Sequence, residues 1–281
     1  MSDRAMQQRL LGHLEQVARD RNPFFASAHH FFVQQYIQQE FSRWGDVESH
    51  TFDFQGQKHT NWILNLPGQD LNRLPILVGA HYDSVPGSPG ADDNATGLAA
   101  LLELARAFST QPGKSPLRLI AFDLEEFGLV GSRCYAADLH QRGESIQLML
   151  SLEMLGYCCH QPHSQTYPAG LERLYPNRGN YIAQIGQWQS LPTMVQLWWG
   201  FRAAGVRSQW LPVIQQGRAV PDTRRSDHAP FWDLGYPAIL ITDTANLRNR
   251  HYHQPTDTLE TLDLAFLTQV CQGLLHGLRR L

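Results

Sequence analysis

Cysteine is scarce in this 281-residue chain. Cys134, Cys158, Cys159 and Cys271 are too few for a disulfide framework at this length. Cys158 and Cys159 stand next to His160, but a soft-metal site there would lack a CxxC partner pair, so the two cysteines read as small hydrophobes after a strand. An excess of basic charge is missing too. The formal net charge of −3 leaves no basic footprint and argues against a nucleic-acid partner. Lysine occurs only at Lys58 and Lys114, and no functional reading follows from that. No apolar run approaches the roughly 18 residues of a membrane-spanning helix. The first twenty residues carry Arg4, Arg9, Glu15, Arg19 and Asp20 and lack the apolar stretch of a secretory leader. The expectation is a cytoplasmic protein with no membrane partner, or a secreted one if a leader has been removed. Oligomeric state has no signal in the sequence.

What is present is ordinary globular material, 42% hydrophobic and 17% charged. The periodicity predicts helices over Met6–Val17 and Ala26–Trp44, the second stopped by Gly45 in the left-handed position that commonly ends a helix. Strands Val47–Phe54 and His59–Asn65 flank Gly56 and suggest a hairpin. Strand Leu74–Gly79 then leads into an alternation: helix Ala95–Phe108, strand Leu117–Phe122, helix Val130–His140 and strand Ile146–Leu152. After a long loop over Gly156–Gly179 come strand Tyr181–Ile185, helix Met194–Ala204, strands Ser208–Val213 and Pro237–Thr242, and a closing helix Leu262–Leu281. No linker or repeat interrupts the pattern. The expected fold is α/β: one domain over residues 1–281, with a mixed, mostly parallel central sheet flanked by helices and an antiparallel hairpin near the N-terminal end.

Metal-binding residue types sit at or just beyond the ends of these strands. They are His81-Tyr82-Asp83, Asp92-Asp93-Asn94, Glu125-Glu126, Glu153 and His253-Gln254-Pro255. Each alone has an ordinary structural explanation: Asp-Asp-Asn before a helix, for example, commonly caps free helix N–H groups. Five in register at strand ends, where an α/β sheet presents its loops to a ligand, point instead to a metal site. Oxygen ligands mixed with imidazole suit Zn²⁺ or a similar divalent ion. A bridging carboxylate with two ligand pairs would hold two ions about 3.5–4 Å apart, the spacing used to activate water against an amide or ester.

The fuller motifs resemble the M28 family of zinc metallopeptidases, whose aminopeptidases share a single α/β domain. The matching stretches begin with His81-Tyr82-Asp83-Ser84, Gly90-Ala91-Asp92-Asp93-Asn94-Ala95-Thr96-Gly97 and Phe122-Asp123-Leu124-Glu125-Glu126-Phe127-Gly128. Leu152-Glu153-Met154, Ser226-Asp227-His228-Ala229-Pro230-Phe231 and His251-Tyr252-His253-Gln254-Pro255-Thr256-Asp257-Thr258 complete them. The resemblance implies two Zn²⁺ ions, other divalent metals being alternatives, with Asp93 as the bridge. His81 and Glu126 would complete one site, Glu153 and His253 the other. Glu125 would be the general base. The resemblance further implies that Asp83 orients His81, that Asp227-His228 lines the site, and that the Asp93–Asn94 peptide bond is cis. Many members have Asp where this chain has Glu153. Ser226 also reads as the cap of a following helix. Asn94-Ala95-Thr96 matches a glycosylation sequon, discounted beside a buried metal cluster.

The substrates so implied are peptides with a free N-terminus, cut one residue at a time. The Gly156–Gly179 loop and the Val213–Arg225 segment would wall the substrate pocket, with Tyr157, Tyr167, Trp210 and Trp232 as candidate lining. Three rivals stand beside this reading. The first is a glutaminyl cyclase, similar in fold and working with one zinc. The second is a catalytically silent binding module. The third is a carboxypeptidase holding a substrate carboxylate on Arg224, Arg225, Arg248 or Arg250.

Overall fold

In the computed structural model, which describes residues 3–281, the apolar runs assemble into one eight-stranded sheet. The strands are β1 (Val47–Phe54), β2 (Gln57–Leu66), β3 (Ile76–His81), β4 (Leu117–Phe122), β5 (Leu148–Glu153), β6 (Ile182–Gln187), β7 (Ser208–Val213) and β8 (Ala238–Thr242). Their order across the sheet is β1-β2-β4-β3-β5-β8-β6-β7. The four central strands β4, β3, β5 and β8 are parallel. β1 and β2 form the antiparallel edge hairpin, turning at Gln55 and Gly56, which both take positive φ as a tight hairpin turn requires.

The alternating pattern did not announce one reversal: β6 and β7 run parallel to each other but antiparallel to β8. The cause is the β5–β6 connection. It contains no crossover helix to carry the chain back to the starting edge, so β6 leaves from the end where β5 finished and runs the other way.

Side chains along each strand alternate between two cores. In β4, Leu117, Leu119 and Ala121 face one, and Ile120 and Phe122 the other. The first core lies under α1 (Asp3–Val17), α2 (Ser27–Ser42), α3 (Gly97–Thr110), α5 (Leu191–Ala203) and α7 (Leu264–Leu278). The second lies under α4 (Val130–Gln141) and α6 (His228–Asp233). α5 and α7 approach so closely that a Cβ on Gly200 would stand 2.5 Å from the Gly277 nitrogen, which explains the glycine there.

Two local expectations need correction. Gly45 does not end α2 in a left-handed conformation; it gives room to Leu64, whose side chain would lie 3.0 Å from a Cβ there. α3 begins at Gly97 rather than Ala95, after a wide turn over Ala91–Thr96 in which Asp93 and Asn94 leave helical geometry. α6, with six residues, is too short for its period to show in the sequence.

Candidate metal centre

β3 is flanked by β4 and β5, so the direction of strand addition reverses there and a crevice opens at the C-terminal ends of the strands. His81 closes β3, Glu153 closes β5, Glu125-Glu126 follow β4, and His253 lies in the loop after β8. Asp93 comes from the wide turn before α3. The Asp93–Asn94 peptide bond is cis.

One carboxylate faces two imidazoles. Asp93 Oδ1 lies 3.2 Å from His81 Nε2, and Asp93 Oδ2 lies 3.2 Å from His253 Nε2. Glu153 Oε1 is 3.4 Å from His81 Nε2, and Glu126 Oε2 is 3.2 Å from His253 Nε2. The expected partners are therefore exchanged: His81 stands with Glu153, and His253 with Glu126. The reason is register. β3 and β5 pair at Gly79 and Ser151, so two residues on, on the same face, His81 sits beside Glu153. A Glu125 carboxylate oxygen also reaches the His81–Glu153 group, within 4.8 Å of both donor atoms.

The donor set fits divalent metal. Asp93 Oδ2, Glu126 Oε1 and His253 Nε2 are buried without an aligned hydrogen bond, although Asp93 Oδ2 and His253 Nε2 lie only 3.2 Å apart, the arrangement of atoms that converge on a shared ion. Nitrogen and carboxylate donors of this kind suit zinc.

The charges reinforce one another. Burial opposes a charge on Asp93, yet the imidazoles of His253 and His81 hold its carboxyl well below the usual range. Burial likewise opposes the His253 cation, but Asp93 and Glu126 raise it to about 10. Burial and the Asp93 charge lift Glu126 to about 7. Glu125 is raised well above the carboxylate range by burial, with Glu153, Glu126 and Asp227 adding to it against the pull of His81.

Several residues hold these groups in place. Asp83 Oδ1 lies 3.4 Å from His81 Nδ1, and the same carboxylate accepts the backbone N–H groups of Glu125 at 3.0 Å and Glu126 at 3.2 Å. Asp83 thus ties the β3 end to the β4 loop. Asp257, in the quoted His253 motif but with no role given to it there, accepts the N–H groups of Asp92 and Asp93 at 3.0 and 3.1 Å. Asp92 is turned away from the imidazoles and accepts from Gly156 N–H and Asn249 Nδ2. Asn94 is fully buried, and its amide bonds the Leu152 carbonyl and the N–H groups of Gly97 and Met154.

Ser226 caps no helix. Its hydroxyl donates to Glu153 Oε2 at 2.8 Å and meets Ser151 Oγ at 2.9 Å. Asp227 beside it is buried with neither carboxylate oxygen hydrogen-bonded, and burial raises it to about 7.

The contribution of the N-terminal segment has no signature among its residue types. Arg21, fully buried, donates to the backbone carbonyls of Pro89, Gly90 and Asp93. Gly90, at φ +55°, leaves room for that guanidinium, which a Cβ would meet at 2.9 Å. His30 on α2 and His59 on β2 both bond the buried Asp123 carboxylate at the start of the Glu125 loop.

A cleft of about 600 Å³ opens onto Asp93, Glu125, Glu126 and Glu153. A second, mainly apolar cleft of about 510 Å³ shares Ile185, Asp222, Thr244 and Leu247 with it. Tyr167 and Tyr175 from the long loop, Trp210, and Val220 with Thr223 from the Val213–Arg225 segment line this second cleft. Of the other aromatic candidates, Trp232 is a core residue bonded to the Ala238 carbonyl, and Tyr157 lines neither cleft.

The chain is 39% identical over 216 residues to the uncharacterized protein YfbL of Escherichia coli, covering 71% of this chain and 65% of that one. It is 31% identical over 199 residues to aminopeptidase YwaD of Bacillus subtilis, covering 69% of this chain and 38% of that one. The chain therefore spans less than two thirds of the length of these curated relatives. In fold it is similar to the LapA aminopeptidase of Legionella pneumophila, with a TM-score of 0.74 at 17% identity over 96% of this chain and 70% of that one. It is similar also to the glutaminyl cyclase of Porphyromonas gingivalis, with a TM-score of 0.69 at 18% identity over 99% of this chain and 98% of that one. The fold is thus shared with both of these solved structures. Residues 61–277 match Peptidase family M28, and the chain belongs to that family.

Proposed function

We propose that this chain is an aminopeptidase that uses two divalent ions, zinc by preference, to hydrolyse the N-terminal residue from peptides. The observation that carries the reading is the single Asp93 carboxylate facing His81 with one oxygen and His253 with the other, with unpartnered donor atoms around it. His81 and Glu153 would hold one ion, His253 and Glu126 the other, and Asp93 both. When bound, such ions would supply Lewis acidity, making a nearby water more acidic and the scissile carbonyl more electrophilic.

The chain's own residues supply the rest. Glu125 reaches the His81–Glu153 group and would take the proton from the attacking water, then deliver it to the leaving amine. Its buried, acid-crowded setting suits a group that must hold a proton between those two steps. The apolar cleft beside the centre would accept a hydrophobic side chain. Of the four arginines considered as carboxylate binders, Arg224 is bonded to Asp233 and Arg248 to the carbonyls of Tyr157 and Tyr181. Arg225, bonded to the neutral side chains of Asn246 and Tyr252, does line the cleft of the centre, so the choice between the amine and carboxylate ends is made by the substrate panel.

The test combines metal analysis with a substrate panel. Two zinc equivalents at the centre, cleavage of free-amine peptides and resistance of their N-acetylated forms are expected. One equivalent with cyclisation of N-terminal glutaminyl peptides, release from the C-terminus, or no turnover of any peptide by the metal-loaded chain would overturn the reading.

A further inference from the structure

Five residues beyond Glu153, a second set of donor atoms converges away from the crevice ligands. Cys158 and His160 lie in the irregular segment after β5, and Asp263 stands at the start of α7. Cys158 Sγ is 3.6 Å from His160 Nε2, and an Asp263 carboxylate oxygen joins them with all three donor atoms within 4.8 Å of one another. A tetrahedral ion with a Zn–S bond of about 2.3 Å and a Zn–N bond of about 2.0 Å separates sulfur from nitrogen by about 3.5 Å. The observed separation is therefore close to one edge of such a tetrahedron.

The donors are also held from behind. The Asn180 amide lies 3.2 Å from His160 Nδ1; turned so that its oxygen accepts from Nδ1–H, it leaves Nε2 with a free lone pair facing the sulfur. Asp263 uses one oxygen, Oδ1, to cap the Phe266 N–H at 2.9 Å, and its own N–H donates to the Gly156 carbonyl at 2.9 Å. Cys159 N–H bonds the Gly179 carbonyl at 2.7 Å, fixing the other end of the segment. His160 is exposed and the other two are half-buried, so an ion has a route in and water can take a fourth position.

We propose that Cys158, His160 and Asp263 form a separate divalent-metal site that takes Zn²⁺, or a softer ion such as Cd²⁺, and ties the segment after β5 to the start of α7. The site is distinct from the centre of the crevice in chemistry, because a thiolate is soft where carboxylates are hard. Its occupancy fixes the entry to the segment that continues into the apolar cleft wall at Tyr167 and Tyr175. Metal entry displaces the thiol proton to solvent.

The test is Co²⁺ titration of the full chain, read by the near-ultraviolet charge-transfer absorption that only a thiolate ligand gives. The band should appear in the wild type, vanish in Cys158→Ser together with one metal equivalent, and persist in Cys159→Ser. Asp263→Asn retains a good helix cap while removing the charge, so it should weaken Co²⁺ binding without loss of helix signal. Absence of the band in the wild type, or its survival in Cys158→Ser, overturns the proposal. The aminopeptidase reading is untouched by either result, because no crevice ligand carries sulfur.

Discussion

Ser226→Ala isolates one half of the centre. The Ser226 hydroxyl is fully buried, donates to Glu153 Oε2 at 2.8 Å, and has Ser151 Oγ as its other neighbour at 2.9 Å. Glu126 and His253 sit on the opposite side of Asp93, so the hydroxyl touches only the ligand paired with His81. A hydrogen bond to a charged group contributes about 1.5–3 kcal/mol. At about 1.4 kcal/mol per decade, its loss should weaken ion binding at the His81–Glu153 position by about 10- to 150-fold. That agrees with the 10- to 100-fold typical of residues that orient a metal ligand. Competition with a chelator of known affinity should resolve two release steps in the wild type. In Ser226→Ala one step should shift by that factor while the other holds. Equal shifts in both steps would mean a general loosening of the crevice. No shift in either would show that the Ser226 hydroxyl does not orient a metal ligand, and the partner exchange would then lack its support in solution.

Glu125→Gln should reduce turnover by about 10²–10⁴-fold with metal content unchanged, because an amide cannot accept the water's proton; near-normal rates would remove Glu125 from the base role. Asp93→Ala should lose both crevice ions, whereas His253→Ala should empty mainly the Glu126 position, and metal-to-protein ratios decide between shared and separate ligands. His13 offers a pH test remote from the centre. Burial holds its imidazole at about 4, below the ordinary value of about 6.5, so its contribution is complete above pH 6.5 and is lost as pH falls towards 4. His13→Gln should therefore lose about 3 kcal/mol less stability than the wild type across that window, and parallel urea-unfolding curves at both ends would refute this.

The legible part of this protein follows from how its chemistry is anchored. Leu117–Phe122 and Ser208–Val213 could be read to the residue because an apolar run between turn signals leaves a strand few other places to end. Of the candidate donors, His81, Glu125-Glu126 and Glu153 stand at or just beyond the end of such a run, whereas Asp93 and His253 lie well past one and are legible through the motifs around them. Partnership between ligands could not be read, since it depends on β3 meeting β5 at Gly79 and Ser151, and register is a property of two strands rather than of either sequence. The same limit hid the Cys158 cluster: its third donor, Asp263, arrives only when α7 packs against the exit of β5. Arg21 shows a deeper version of the limit. It serves backbone carbonyls, which every residue possesses, so its targets at Pro89, Gly90 and Asp93 carry no side-chain signature of being held. Asn22 bonds the Ser84 carbonyl in the same fashion, while Gln34 and His30 reach side chains, the Tyr82 hydroxyl and the Asp123 carboxylate. All four residues precede the stretch that matches the family. The N-terminal segment therefore belongs to the crevice physically, gripping its loops at four points, two from the α1–α2 connection and two from α2, although none of the chemistry resides in it.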